Sequence, residues 1–237
     1  MRIPVLIAAA ALAAALVAGC SAAPDTPRPT VLTPISPSKT GRPGPPGSAT
    51  TTNPATTTGP AGSAPGTGAT AAEAITWVQA GPPVDAADFA VALRGGTTTP
   101  LGDDVAFTTA SGISCMTEVK RADAGLACLV DLTDPPPQPP DIYGAWKGGW
   151  VDYDGSSVRV GSAHGDPGRF TAGQGPPLPD GGSLSFGDFR CRTDSTVLVC
   201  VNYAQQTAVR YSDDGIDTYG CSRQTPPQAG IGIQYAC

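Results

Sequence analysis

The sequence predicts a mainly β (α+β) fold, a disulfide-stapled antiparallel sheet with one or two short N-terminal helices, carried at the end of a long unstructured tether. Three observations predict it. Beyond residue 100 the chain breaks into short apolar runs punctuated by Gly, Pro, Asn and Asp, which is the pattern of strands and turns. Six cysteines, at 115, 128, 191, 200, 221 and 237, are spaced so that cross-strand pairs centre on polar turns. Residues 21–70 are Pro, Thr, Ser, Gly and Ala with almost no large apolar side chain, too little to offset the entropy of ordering them.

The chain opens with one positive charge, Arg2, followed by an uncharged run from Ile3 to Val17 that is almost wholly Ala, Leu, Ile and Val. With small residues after it, this reads as an export signal over residues 1–19. At about fifteen residues it is short of the roughly 20 needed for a permanent span. Val17-Ala18-Gly19-Cys20 resembles the lipobox of bacterial lipoproteins, in which a peptidase cuts before a cysteine already joined to diacylglycerol. The resemblance implies that Cys20 is the first mature residue and carries the acyl (palmitate-type) chains. The expected location is therefore the cell membrane, lipid-anchored on its extracytoplasmic face. Each buried methylene adds about 0.8 kcal/mol, so two or three chains hold firmly.

Residues 20–70 are then the lipidated cysteine and its tether. As a flexible coil it would reach about 40 Å, and its prolines stiffen it further. Thr50 to Thr52 and Thr56 to Thr58 fit either an O-glycosylated stalk or a plain spacer. The tether carries Asp25, Arg28, Lys39 and Arg42, a net charge of +2. Residues 71–237 carry ten basic and nineteen acidic side chains, a net of −9. A domain so acidic repels phosphate backbones, so no nucleic acid partner is expected.

The folded domain is expected over 71–237. Ala71 to Gln79 has Ala71, Ala74, Ile75 and Val78 on one face and is stopped by Gly81-Pro82-Pro83, which predicts a helix. Val84 to Leu93 suggests a second short helix capped by Asp85 or Asp88. If Cys115 faces Cys128 in a hairpin, the turn falls on Lys120 to Asp123, the most hydrophilic place in that segment. Cys191 facing Cys200 places the turn on Asp194 to Val197, again polar. The two segments look like degenerate copies of one unit. Between them, Asp154-Gly155 suggests a tight hairpin with Val151 opposite Val158. Pro135 to Pro140 and Gly173 to Gly182 read as surface loops. Ala204 to Tyr211 continues as a strand, and Cys221 closes on Cys237 by elimination. Seven cysteines are then accounted for by three disulfides and one lipid, as befits an oxidising compartment.

Phe107-x-x-x-Ser-Gly-Ile-x-Cys115, the blocks Gly102 to Asp104 and Tyr143 to Asp152, and Gly-Asp-Phe-Arg-Cys-Arg at 187 to 192 resemble the Lpp-type conserved lipoproteins of mycobacteria and related actinobacteria. The resemblance spans most of residues 71–221. It implies a cell-envelope location and a disulfide-stapled extracytoplasmic domain, and it brings no activity with it.

Nothing in the chain spells out a catalytic constellation, and the chain is not expected to be an enzyme. His164 is the only histidine; Ser162 and Asp166 on the same strand face would stand about 6.5–7 Å away per step, beyond a hydrogen-bonded relay. A zinc site lacks a second histidine, Asp152-x-Asp154-Gly155 lacks the rest of a calcium loop, and no metal or cofactor is expected. Asp103-Asp104 and Asp213-Asp214 read as solvated loop residues before a glycosidase pair. One cluster suggests ligand binding. Tyr143, Trp146, Trp150 and Tyr153 lie within eleven positions, interleaved with glycines and edged by Asp141, Asp152 and Asp154, as aromatic faces and carboxylates hold sugars. The plainer reading, that these rings fill the core, is favoured. The expected function is a non-catalytic binding or scaffolding domain on a membrane anchor, with an envelope protein or glycan as partner. An extracytoplasmic glycan-binding protein or hydrolase, and a lipid or glycolipid carrier, are the alternatives.

Overall fold

The computed structural model describes residues 62–120, 125–163 and 167–237. Cys20, the signal segment, His164 and three of the four predicted turn residues at 120–123 lie outside the described residues. The domain is mainly β, with antiparallel sheets and three disulfides. One α-helix, α1 (Ala71–Gln79), precedes β1 (Val91–Arg94) and β2 (Thr97–Pro100), which form a separate hairpin. Then come two meanders. The first runs through β3 (Ala106–Thr108), β4 (Ser114–Thr117), β5 (Leu126–Leu129), β6 (Trp146–Tyr153) and β7 (Ser157–Ala163). The second runs through β8 (Ser183–Phe186), β9 (Phe189–Thr193), β10 (Leu198–Asn202), β11 (Thr207–Ser212) and β12 (Gly215–Tyr219). Finally β13 (Arg223–Thr225) and β14 (Ile231–Ala236) return to the first sheet, giving the orders β13-β14-β7-β6-β5-β4-β3 and β12-β11-β10-β9-β8.

The two sheets share one core, because alternate residues of each strand point the same way. Phe107, Cys115, Leu126, Cys128, Val151, Tyr153, Val158 and Val160 come from the seven-stranded sheet. Leu184, Cys191, Leu198, Cys200, Val209 and Tyr211 come from the five-stranded one. The fold is thus a sandwich of two sheets where the sequence suggested a single one. Both hairpin disulfides lie inside this core, joining Cys115 directly opposite Cys128 and Cys191 directly opposite Cys200. Those registers, and the turn at Asp194 to Val197, are the ones predicted. There Asp194 Oδ1 accepts from the backbone N–H groups of Thr196 and Val197 at 2.9 Å each.

Each sheet is covered on its other face too. Ala74, Trp77 and Val78 of α1 pack on Val199, Val201, Ala208 and Tyr219. Thr70 caps the helix in a box with Glu73. On the opposite side of the molecule, Phe170 from a 3₁₀ turn and Ala92 of β1 cover Ala106, Met116, Ala127 and Trp150. This double burial explains why β10 is buried at every position, as a central strand covered on both faces must be.

Two expectations about local elements are corrected. The helix suggested over Val84 to Leu93 shrinks to a 3₁₀ turn at Ala86–Phe89, with Asp85 as its N-cap. Val91 onward becomes a strand because Gly95 and Gly96 both hold positive φ, +54° and +81°, as a tight hairpin turn requires. The third hairpin pairs Tyr153 with Val158 and Val151 with Val160, two residues away from the predicted register. Asp154 is the cause: its carboxylate accepts from the N–H groups of Ser156 and Ser157 and from both hydroxyls, which lengthens the turn to four residues. A shift of two keeps the same side chains inside.

The loops and the boundary also differ. Gly173 to Gly182 is no simple surface loop: Leu178 is buried in the core, and Gly175 passes so close to Ala106 that a Cβ there would overlap its backbone. In the Pro-rich loop Pro136 is buried. Residues 62–70, assigned by composition to the disordered tether, pack as a strap on the domain. Pro65 is buried, Ala64 and Ala69 join the α1 cluster, and Tyr219 Oη donates to the Pro65 and Gly66 carbonyls at 3.2 Å.

Candidate binding site

The four rings of the aromatic cluster do not form one platform, because alternation along β6 sends them different ways. Tyr153 is buried between the sheets, its hydroxyl 2.7 Å from Thr207 Oγ1 and its ring edge-on to Phe189 at 5.4 Å. Burial raises its pKa, outweighing the hydrogen bond it shares with Thr207. Trp150 is 2 % exposed and meets Phe170 edge-on at 5.3 Å on the outer face. Trp146 is half-buried; Nε1 donates to the Pro136 carbonyl at 2.9 Å, and Gly161, at φ +76°, leaves room for the indole where a Cβ would meet it at 2.6 Å. Tyr143 alone stands in solvent, 92 % exposed. The glycines between them serve the sheet: at Gly149 a Cβ would strike the Val130 carbonyl, and the ladder is irregular between Lys147 and Val151.

The paired aspartates are equally dispersed. Asp104 Oδ1 accepts from Thr117 Oγ1 at 2.8 Å and from the Val119 N–H at 2.7 Å, bracing β4. Asp103 is exposed beside it, and Asp213-Asp214 form the exposed turn between β11 and β12. In the β6–β7 turn, burial raises the pKa of Asp154, but the hydrogen bonds from Ser157 and Ser156 outweigh it and hold the carboxyl below its ordinary range. Among the described residues no group of three His, Cys, Asp or Glu side chains is placed to hold a metal, and no helix is long and apolar enough to cross a membrane.

The structure brings other residues together in two kinds of concavity. At one end of the sandwich, turns from both sheets enclose a polar cleft of about 260 Å³ lined by Ser111, Ile113, Asp131, Ser195, Thr196 and Asp213. Val130 and Asp131 are shared with a neighbouring depression of about 280 Å³, which adds Lys147 and Trp150. Carboxylates, small hydroxyls and one ammonium offer hydrogen bonds to a polar ligand. Sequence pattern named Asp213 and Trp150 on other grounds but did not group these residues, because they meet only when the β3–β4, β9–β10 and β11–β12 turns converge.

The second concavity is apolar, about 390 Å³, between α1 and β9, lined by Ala72, Glu73, Thr76, Trp77, Ala80 and Arg192 with Gly62 at its rim. Arg192 is 3 % exposed. Its guanidinium lies 4.2 Å from the Trp77 ring centroid, and Nη1 donates to the Trp77 carbonyl at 2.6 Å. Nε finds no acceptor, and no carboxylate among the described residues lies within ion-pair distance. Burial lowers the pKa of this side chain, with Asp194 acting in the opposite sense.

No family model, curated protein or solved structure matches the chain.

Proposed function

We propose that the chain is a cell-envelope lipoprotein of the Lpp type, anchored through acyl chains on Cys20, whose disulfide-braced sandwich is a non-catalytic binding or scaffolding module. The observation that carries this reading is the pairing of all six downstream cysteines. Three disulfides point to an oxidising compartment, and they leave Cys20 as the one cysteine without a disulfide partner, in the position where a lipobox would acylate it. The way these carboxylates are used supports the non-catalytic part of the reading: Asp104, Asp154 and Asp194 accept hydrogen bonds that hold turns and strands in place. The polar cleft between the turns is the surface that favours a glycan as the second reading.

Intact mass and thiol counting on the full chain, expressed in a host that processes lipoproteins, test the proposal. The expected product lacks residues 1–19, carries a diacylglycerol adduct on Cys20, and shows no maleimide-reactive thiol without reductant. Cys20→Ala should abolish the adduct and release the chain from the membrane fraction. An intact leader, or six free thiols in the native protein, would refute it.

A further inference from the structure

We infer that the pocket between α1 and Arg192 is a binding site for the anionic end of an apolar molecule, a medium-chain carboxylate. The walls supply the apolar part. Ala72, Thr76, Trp77 and Ala80 line a space of about 390 Å³, within the size range of small-ligand sites. Arg192 supplies the charge. Buried guanidinium groups are normally matched by a carboxylate, since an uncompensated buried charge is costly and an apolar residue of similar volume would serve the packing as well or better.

Contact with the Trp77 ring compensates only in part, and among the described residues the guanidinium makes one hydrogen bond, from Nη1 to the Trp77 carbonyl. The planar guanidinium is shaped to hold a carboxylate through paired N–H donors. Glu73, the other charge on the lining, does not compete, because its Oε2 already accepts from the Thr70 N–H at 2.7 Å and Thr70 Oγ1 at 2.8 Å. An ammonium ligand would meet like charge at Arg192. This site stands apart from the lipid anchor, so its test and that of the anchor can fail separately.

Calorimetric titration of the full unacylated chain (Cys20→Ser) with octanoate, octanol and octylammonium at neutral pH provides the test. Saturable one-site binding of octanoate is expected, with octanol and octylammonium weaker by about tenfold or more, the margin of a charge-assisted hydrogen bond. Arg192→Met should keep the fold and bind octanoate no better than octanol. Thr76→Trp, made at an exposed helix position on the pocket lining, should fill the space and abolish binding of octanoate and octanol alike. This second variant carries the test if Arg192→Met does not fold. Absence of saturable octanoate binding overturns the inference. So does an octanoate preference unchanged in Arg192→Met, or undiminished binding by Thr76→Trp.

Discussion

The two outer faces of the sandwich solve the same problem with the same residue type and reach opposite electrostatic ends. Over the seven-stranded sheet, Arg169 pins the 3₁₀ turn that carries Phe170. Its Nη1 donates to the Met116 and Gly125 carbonyls at 3.2 and 3.1 Å, and its head lies 3.7 Å from Glu118 and 3.9 Å from Asp152. Over the five-stranded sheet, Arg192 ties β9 to the end of α1 through the Trp77 carbonyl and ring, with no carboxylate among the described residues within ion-pair distance. An arginine can bridge a sheet and its covering element, from either side, when its stem packs and its head finds acceptors. The first arginine is fully matched by its surroundings, while the second is matched for packing and left open for charge. The difference separates a structural cation from one that a ligand can complete.

Substitutions can sharpen this comparison. Phe170→Ala should have the largest effect, about 3–5 kcal/mol in chemical denaturation, because it empties the cover of the seven-stranded sheet. Arg169→Met should cost about 3 kcal/mol, since it leaves Asp152 and two carbonyls without their donor. A change below about 1 kcal/mol would show that Arg169 and Arg192 are alike, and the distinction would collapse. The third disulfide tests how far the two sheets depend on each other. Cys221 follows β12 and Cys237 follows β14, so this clasp joins the sheets, and both its cysteines are exposed, unlike the four in the core. Mild reductant should open it first, at a cost of about 3 kcal/mol, as read by peptide mapping after alkylation.

Smaller effects belong to the α1 cover. Thr70→Ala should lower stability by about 1 kcal/mol through loss of the N-cap. The backbone N–H and hydroxyl of Thr70 hold the Glu73 carboxyl below its ordinary value. A depressed folded-state pKa gives stability that is present above the unfolded value and lost as pH falls through the folded one. Thermal melts in acid should therefore show a decline that Glu73→Gln removes. Arg192→Met should cost no more than about 1 kcal/mol, because no counter-ion is abandoned and the Trp77 carbonyl it leaves still accepts from the Ala80 N–H. A loss comparable to Arg169→Met would mean that Arg192 is structurally required.

Local pattern made the stapled hairpins legible. A directly opposed cysteine pair and a hydrophilic turn at equal distance from both fix a register almost alone, and β4–β5 and β9–β10 follow that arithmetic. The Asp154 hairpin was legible in place but not in register, since a side chain that accepts from the backbone two and three residues on sets the turn length. The Gly95-Gly96 turn carried a readable signal, two adjacent glycines, that the competing helical periodicity of Val84 to Leu93 obscured. The strap at residues 62–70 carried none, because its Ala, Pro and Gly are ordered by a partner surface more than a hundred residues away.

By itself the sequence determined the class of fold, the three cysteine pairs and the turn at Asp194 to Val197, because each is decided by residues close together or by a count of thiols. Only the tertiary structure decided that the strands divide into two sheets, that Trp150 and Tyr153 face opposite sides, and that Arg192 sits under Trp77 with its charge unmatched. Those outcomes depend on which surfaces meet across the core, and strands buried on both faces, such as β10, carry no alternation that would announce it.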